Sequence, residues 1–203
     1  LKSRYGVAVD PVDVQPSIRA TLAACASGSG RLVKQSGGHG QYAVVQIEVE
    51  PLPAGSGFEF VDKVVGGAVP RNYIPSVEKG IRAQMESGVA GGYPVVDIRA
   101  TLLDGKSHSV DSSDMAFQTA GGMALKDAAA KAGVRLLEPI VTVTVTVPDE
   151  HVGAVISDLS TRRAVIKGTD SDGAGHSTVV SDVPESEVSR YAIDIRSVSH
   201  GTG

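Results

Sequence analysis

The sequence predicts an α+β fold in two domains. Segments with the two-residue period of a half-buried strand alternate with segments that repeat apolar residues every three or four positions, as amphipathic helices do. The chain has 203 residues, of which 41% are hydrophobic, and this length allows one large or two modest cores. A helical pattern stops near Leu136, and strict alternation begins at Ile140. We therefore place a domain boundary between residues 136 and 137.

The first domain is predicted to contain a mixed sheet. Residues 18–26 fit either a strand or a helix, and residues 27–31, with the sequence Ser-Gly-Ser-Gly-Arg, are predicted to form a flexible turn. A helix is predicted to begin at Pro75, where the missing N–H costs nothing, and to end at Gly88. The clear strands, which alternate apolar and polar residues, are residues 40–49, 58–61 and 95–102.

A second helix of the first domain is predicted to follow the last of these strands. Asp111 or Ser112 is expected to cap it, and Gly133 to end it. It contains Gly121 and Gly122, each of which costs about 1 kcal/mol in an exposed helix. We infer that this helix packs tightly against the sheet and that both helices cover one side of the sheet.

The second domain is predicted to be ferredoxin-like and to lack its last strand. Its order of elements is β-α-β-β-α, one strand short of the split βαβ unit. The chain stops at Gly203, where that strand would begin, so we expect one edge of the sheet to be exposed. The elements are strand 140–147, helix 152–159, strand 164–168, turn 169–175, strand 177–183 and a helix that Pro184 opens.

The composition excludes several classes of protein. The net charge is −4, tryptophan is absent and aromatic residues make up 4% of the chain, which argues against a strongly cationic nucleic-acid binder and against a sheet that stacks bases. The single cysteine, Cys25, excludes an internal disulfide and a cysteine zinc cluster. No apolar run reaches the roughly 20 residues that span a bilayer. The start at Leu1 resembles neither an initiator methionine nor a signal peptide, so we expect a piece of a cytoplasmic protein.

Two loops are the strongest candidates for a functional site. Residues 34–42, Lys-Gln-Ser-Gly-Gly-His-Gly-Gln-Tyr, carry three glycines in four positions, which allows another molecule to approach the backbone. Residues 104–113, Asp-Gly-Lys-Ser-His-Ser-Val-Asp-Ser-Ser, place His108 in a loop between a strand and a helix. On the residues alone, a flexible hairpin and an exposed histidine without a role explain the two loops at least as well.

Other motifs carry weaker signals. Residues 170–173 lack the later spacing of a calcium loop, and the five histidines lack the pairing of a zinc helix. Arg162 and Arg163 follow a helix, where they fit either a phosphate contact or a solvated helix end.

Seven ordered motifs, and an eighth in the second domain, resemble one family. Two of the seven are residues 34–42 and 108–113 of the two loops, and the others are residues 55–60, 66–70, 73–80, 91–97 and Leu137-Glu138-Pro139-Ile140. The eighth is residues 153–159 with Arg162-Arg163. Together they resemble domains IV and V of bacterial elongation factor G. The resemblance implies a domain IV of the kind seen in domain 2 of ribosomal protein S5 over residues 11–136, and a ferredoxin-like domain V over 137–203. Residues 1–10 resemble the tail of the preceding domain or a linker.

The resemblance also implies where the site lies. In the family, two loops at the tip of domain IV reach the decoding region of the ribosome, where they contact ribosomal RNA and the tRNA–mRNA pair during translocation. We therefore expect the two loops of this chain to meet at one extremity. The tip residues implied are Gly37, Gly38, His39, Gly40 and Gln41 in one loop, and Lys106, Ser107, His108 and Ser109 in the other.

The resemblance further implies that the chemistry of the parent protein lies elsewhere. The parent is expected to be a GTPase that binds GTP and magnesium in an N-terminal domain absent from these residues. For the fragment itself we expect no catalytic residue, cofactor or metal, and we expect a monomer without membrane contact.

The tip loops depart from the family pattern at three positions. His39 stands where an arginine is usual, Ala43 where a glycine is usual, and Ser109 where an aspartate is common. An alternative is therefore an elongation-factor-G-like paralogue, or a ribosomal protection or recycling factor, that binds the ribosome without translocase activity. A third class is an enzyme or metal protein that uses His39 and His108 on the same scaffold.

Overall fold

The computed structural model describes residues 17–34 and 40–198. These residues divide into two compact units, one over Ile18–Leu137 and one that begins at Glu138. Each unit has its own hydrophobic core. No helix in the described part of the chain has the length and apolarity needed to cross a membrane.

The first unit contains a mixed sheet and two helices, as predicted. The strands are β1 (Arg19–Leu22), β2 (Ala26–Lys34), β3 (Gln41–Pro51), β4 (Phe58–Asp62), β5 (Ile98–Lys106) and β6 (Val134–Leu137), and the helices are α1 (Ile74–Ser87) and α2 (Asp114–Ala132). The main sheet has four strands in the order β2, β3, β5 and β4, of which β4 and β5 are parallel and the other pairs antiparallel. A separate two-stranded sheet pairs β1 with β6.

The alternation of β3 shows why this segment is a strand. Its apolar residues Ala43, Val45, Ile47 and Val49 are fully buried, whereas the residues between them are exposed or half-buried. Period-two burial places every second side chain on the core face of the sheet. The predicted strand and its end at Pro51 are therefore confirmed.

Glycines let β2 and α2 approach each other at backbone distance. A Cβ atom on Gly28 would lie 2.1 Å from the carbonyl oxygen of Ala124, and one on Gly30 would lie 1.8 Å from that of Ala120. The prediction of a flexible turn at residues 27–31 is thus wrong, since this segment is the middle of a nine-residue strand. Its small residues serve close packing rather than a turn.

The two glycines of α2 have different surroundings. A Cβ atom on Gly121 would lie 2.7 Å from the carbonyl oxygen of Val77 in α1, so this glycine serves the contact between the helices. At Gly122 the nearest atom, the carbonyl oxygen of Gly80, would be 3.4 Å away. The tight packing inferred from the glycine pair is present, but at Gly121 it is packing against a helix rather than the sheet.

Several strands and helices of the first unit begin or end at residues other than those predicted. β5 begins at Ile98 rather than residue 95, because Asp97 has a φ of 56° and its buried carboxylate accepts the N–H of Gly57 at 2.8 Å. The cap of α2 is Ser113, not Asp111 or Ser112, and its Oγ accepts the N–H of Ala116. Residues 18–26, left open by the sequence, contain β1 and the start of β2.

The second unit has the order of elements predicted for a ferredoxin-like domain. Its sheet has the order β7–β9–β8, and all pairs are antiparallel. Among the described residues β9 is the only partner of β7, so the other edge of β7 is open there. The elements are β7 (Ile140–Pro148), α3 (Val152–Thr161), β8 (Val165–Ser171), β9 (His176–Pro184), α4 (Glu185–Val188) and α5 (Tyr191–Val198). The turn predicted at 169–175 is shorter, because β8 continues to Ser171, and the last helix is divided into two.

Arg162 ties the helices of the second unit together. Its guanidinium donates to Asp158 and Asp194 at 3.0 Å each and lies 4.9 Å from the centre of the Tyr191 ring. Hydrogen bonding to Asp158 raises the pKa of Arg162, and burial raises the pKa of Tyr191 to about 12. Arg163 pairs with Glu138 and Glu187. The 21% exposed side chain of Arg162 is held by its own unit rather than solvated, whereas the 54% exposed side chain of Arg163 fits the predicted solvated helix end.

Replacing Gly30 by alanine is expected to destabilise the first unit by about 3 kcal/mol, because the new methyl group would overlap the backbone of α2. Unfolding in denaturant, followed by circular dichroism, measures this change.

Gly122→Ala is the matched control, since its methyl group would make only ordinary contacts and alanine favours a helix by up to about 1 kcal/mol. Equal stabilities for the two variants would contradict the close contact between β2 and α2.

Candidate functional site

The structure describes six of the nine residues predicted for the site. Gly37, Gly38 and His39 lie outside the described residues. The six others are Gly40 and Gln41 in the first loop, and Lys106, Ser107, His108 and Ser109 in the second. Lys106 ends β5, and Gln41 begins β3.

The two loops meet at one end of the four-stranded sheet. β3 and β5 are neighbours, and Val44 lies opposite Lys106, so the start of one strand adjoins the end of the other. The N–H of Gly40 donates to Asp111 Oδ1 at 3.1 Å, although 71 residues separate the two. The N–H of Tyr42 donates to the carbonyl oxygen of Asp111 at 2.8 Å. Direct hydrogen bonds therefore join the loops.

Ser112 adds a second connection between the loops. Its Oγ donates to the carbonyl oxygen of Tyr42 at 2.7 Å and accepts the N–H of His108 at 2.8 Å. The hydroxyl of Tyr73 donates to the carbonyl oxygen of Ser112 at 3.2 Å, and the Tyr73 ring stacks on Phe117 of α2 at 4.7 Å. This chain of contacts connects the second loop to the core of the first unit.

Glycine at position 40 allows the close approach of Asp111. A Cβ atom there would lie 2.8 Å from Asp111 Cγ and 2.9 Å from Oδ1. A larger residue would push the carboxylate away from the N–H that it accepts. The glycine therefore has a packing reason that applies whatever the loop binds.

His108 presents one ring nitrogen to the loop and leaves the other to solvent. Its Nδ1 accepts the N–H groups of Val110 and Asp111, at 3.3 Å each. An acceptor at Nδ1 favours the neutral tautomer that carries its proton on Nε2. The side chain is 51% exposed, and its ring centre lies 6.0 Å from that of Tyr42. Nε2–H is thus a hydrogen-bond donor available to another molecule.

Asp111 touches both loops and is the residue that the sequence analysis missed. Besides accepting from Gly40, its Oδ2 lies 3.4 Å from Nδ1 of His108. The Asp111 carboxylate therefore lies beside both the N–H of Gly40 and the imidazole of His108. The sequence treated Asp111 and Ser112 only as candidate helix caps. Aspartate and serine both cap helices and bind the backbone of loops, so the residue types alone do not show which of these two roles Asp111 and Ser112 have.

The charges around the loops are unevenly distributed. Lys34 at the end of β2 and Lys106 at the end of β5 are exposed and make no ion pair with another described residue. In residues 17–34 and 40–198, no three histidine, cysteine or acidic side chains come close enough to hold a metal ion. The described arrangement offers backbone groups, an imidazole donor and ammonium groups to a polar partner.

Known proteins similar to this chain extend well beyond it. It is 62% identical over 201 residues to an elongation factor G-like protein of Mycobacterium tuberculosis, and the match covers 99% of the chain and 28% of that protein. It is 47% identical over 203 residues to elongation factor G of Aquifex pyrophilus, covering 29% of that protein. A crystal structure from Thermus thermophilus matches 97% of the chain with a TM-score of 0.88 and 38% identity, over 29% of its own length. The chain thus spans less than a third of each of these relatives.

Family models match almost the whole chain. The model of elongation factor G, domain IV, matches residues 16–133, and the model of the elongation factor G C-terminus matches residues 135–203. Both matches agree with the resemblance noted in the sequence. The chain therefore belongs to the elongation factor G family, of which it carries domain IV and the C-terminal domain.

Proposed function

We propose that this chain is the ribosome-contacting part of a translational GTPase that promotes movement of tRNA and mRNA. Its two tip loops, residues 37–41 and 106–109, enter the decoding region and contact RNA there. The observation that supports this most directly is the pair of hydrogen bonds by which Asp111 joins loops that lie far apart in the sequence. They hold the start of β3, which follows the first loop, against the second loop.

In this proposal the loops make noncovalent contacts with RNA and catalyse no reaction. The Nε2–H of His108 can donate to a phosphate, sugar or base edge, and the glycines of the first loop have no side chain to keep a sugar-phosphate chain from their backbone. Asp111 and Ser112 hold the loops to each other, and Tyr73 connects Ser112 to Phe117 of α2. A force on the unit therefore reaches both loops. We infer that the tip works as a stiff probe.

GTP hydrolysis belongs to another part of the parent protein in this proposal. GTP and magnesium would bind in an N-terminal domain, and phosphoryl transfer there would supply the free energy for moving the tip. The described residues of this chain would then transmit and apply that movement in the cytoplasm, where ribosomes translate.

A second candidate function is supported by specific observations. The chain is 62% identical to a relative named as elongation factor G-like and 47% identical to one named elongation factor G. His39, Ala43 and Ser109 also depart from the usual loop pattern. A paralogue of this kind, or a protection or recycling factor, would bind the ribosome without moving mRNA. A translocation assay with the full-length protein separates the two, because subunit splitting or drug release without mRNA movement identifies the second function.

His108→Ala in the full-length factor is expected to slow translocation by about tenfold, the effect of losing one hydrogen bond of about 1.4 kcal/mol. GTP hydrolysis stimulated by ribosomes should stay near the wild-type rate. Rapid kinetics of mRNA movement and of phosphate release measure the two steps.

The matched control for that variant is His176→Ala, since His176 is 54% exposed and lies in the second unit. Translocation at the wild-type rate in His108→Ala would remove this histidine from the site.

Asp111→Ala is expected to slow translocation by about tenfold as well, because the N–H of Gly40 loses its partner and the loops separate. Asp111→Asn keeps an oxygen acceptor at the same place, so it should stay within about threefold of the wild type. Translocation rates, GTP hydrolysis and melting temperature are measured together.

The effects of His108→Ala and Asp111→Ala should add less than fully in the double variant, since Asp111 acts partly through the loop that carries His108. Fully additive effects, or no rescue by asparagine, would show that Asp111 does not position the tip.

A further inference from the structure

Two cations lie in one row of residues that crosses the solvent face of the four-stranded sheet beside the tip. Arg31 in β2 lies directly opposite Val44 in β3, and Val44 lies opposite Lys106 in β5. Residues opposite each other on adjacent strands share a face. Gly30 and Leu32 are buried on the core face of the sheet, so Arg31 between them lies on the solvent face. Arg31 and Lys106 are both exposed. Two strand spacings put their Cα atoms about 10 Å apart.

Neither of these two cations is neutralised within the described part of the chain. Arg31 and Lys106 make no ion pair there, in contrast to Arg99 farther along the same face, which pairs with Glu50 and Glu59. Tyr42 and Val33 are opposite each other one row nearer the tip, and Val33 is 51% exposed. The row therefore borders the two loops directly and is open to a partner.

The charge of this face changes sign along the strands. The next rows away from the tip carry Asp104 opposite Gln46, and then Glu48, about 13 Å from Val44 along β3. The far half of the face bears four carboxylates against two cations; the carboxylates belong to Asp104, Glu48, Glu50 and Glu59, and the cations to Arg99 and Lys63. A polyanion would be attracted beside the tip and repelled beyond it.

We propose that RNA bound at the tip continues over this row, and that Arg31 and Lys106 contact the phosphates of one strand. We call the surface formed by Arg31, Val33, Tyr42, Val44 and Lys106 the tip-side face. The inference rests on the proposed function and extends it from the two loops, to which Lys106 belongs, to the residues of β2 and β3 beside them. The phosphate contact widens the site from the loops to three strands of the sheet.

Phosphates fit the tip-side face better than stacked bases or a protein. Tyr42 is its only aromatic residue, so the face cannot stack a series of bases. A protein interface has a centre depleted of charged residues, whereas the row formed by Arg31, Val44 and Lys106 carries an unpaired cation at each end. Unpaired cations at fixed spacing on a rigid sheet suit a regular polyanion.

Arg31→Gln and Lys106→Gln in the full-length factor test the inference. Each variant should weaken binding to purified ribosomes about threefold at 0.1 M salt, measured with a GTP analogue that is not hydrolysed. Each should also lower the slope of log Kd against log salt by about 0.7, the value for one lost contact with a single-stranded phosphate. The matched control is Lys126→Gln, an exposed lysine on α2 at the other side of the sheet.

A photoreactive benzophenone residue at position 33 identifies the class of partner, with the same residue at position 123 as its control. Crosslinks to RNA from position 33 support the inference. Crosslinks only to ribosomal proteins, or none, overturn it.

The binding results separate this inference from the proposed function. If Arg31→Gln, whose residue lies outside the tip loops, binds like the wild type while His108→Ala still slows translocation, the inference is wrong and the proposed function stands. An equal loss of binding in Lys126→Gln would show a general charge effect and would also overturn it. A wild-type factor that does not bind ribosomes would overturn both.

Discussion

The position of the tip depends on the backbone contact between β2 and α2. Gly28 and Gly30 bring the strand against the carbonyl oxygens of Ala124 and Ala120, at distances that no side chain would allow. α2 begins immediately after the second tip loop, and Ser113 caps its first turn. The second loop therefore connects the end of β5 to a helix whose position on the sheet is fixed by this contact. Packing in the middle of the unit thus determines geometry at its end.

Hydrogen bonds then join the second loop to the residues at the start of β3. Asp111 and Ser112 use both backbone and side-chain atoms to hold the strand start at Gly40 and Tyr42. A network in which each group has a partner orders a loop more firmly than isolated contacts do. His108 consequently exposes its Nε2 side because the backbone of its own loop occupies Nδ1.

The sequence predicted correctly the strands whose apolar residues alternate regularly. The prediction failed where the local composition is typical of a turn but packing against a distant helix makes the segment a strand. Residues 140–147 and 40–49 alternate so regularly that only one face can be buried, and both segments are strands. Residues 27–31 have the composition of a turn, and their real role appears only when the alanine face of α2 lies against them. Asp111 was missed for a similar reason, since its partner at Gly40 is 71 residues away. Contacts between distant segments leave no local pattern.

The net charge of the chain illustrates the same limit for function. A value of −4 argues against a strongly cationic nucleic-acid binder, and this conclusion holds for the chain as a whole. A partner, however, meets the charges within about 10 Å of its own, because salt screens the rest. On the solvent face of the sheet, unpaired cations lie beside the tip and carboxylates lie beyond them. An acidic chain can therefore carry unpaired cations at one end of its sheet, which the net charge alone does not reveal.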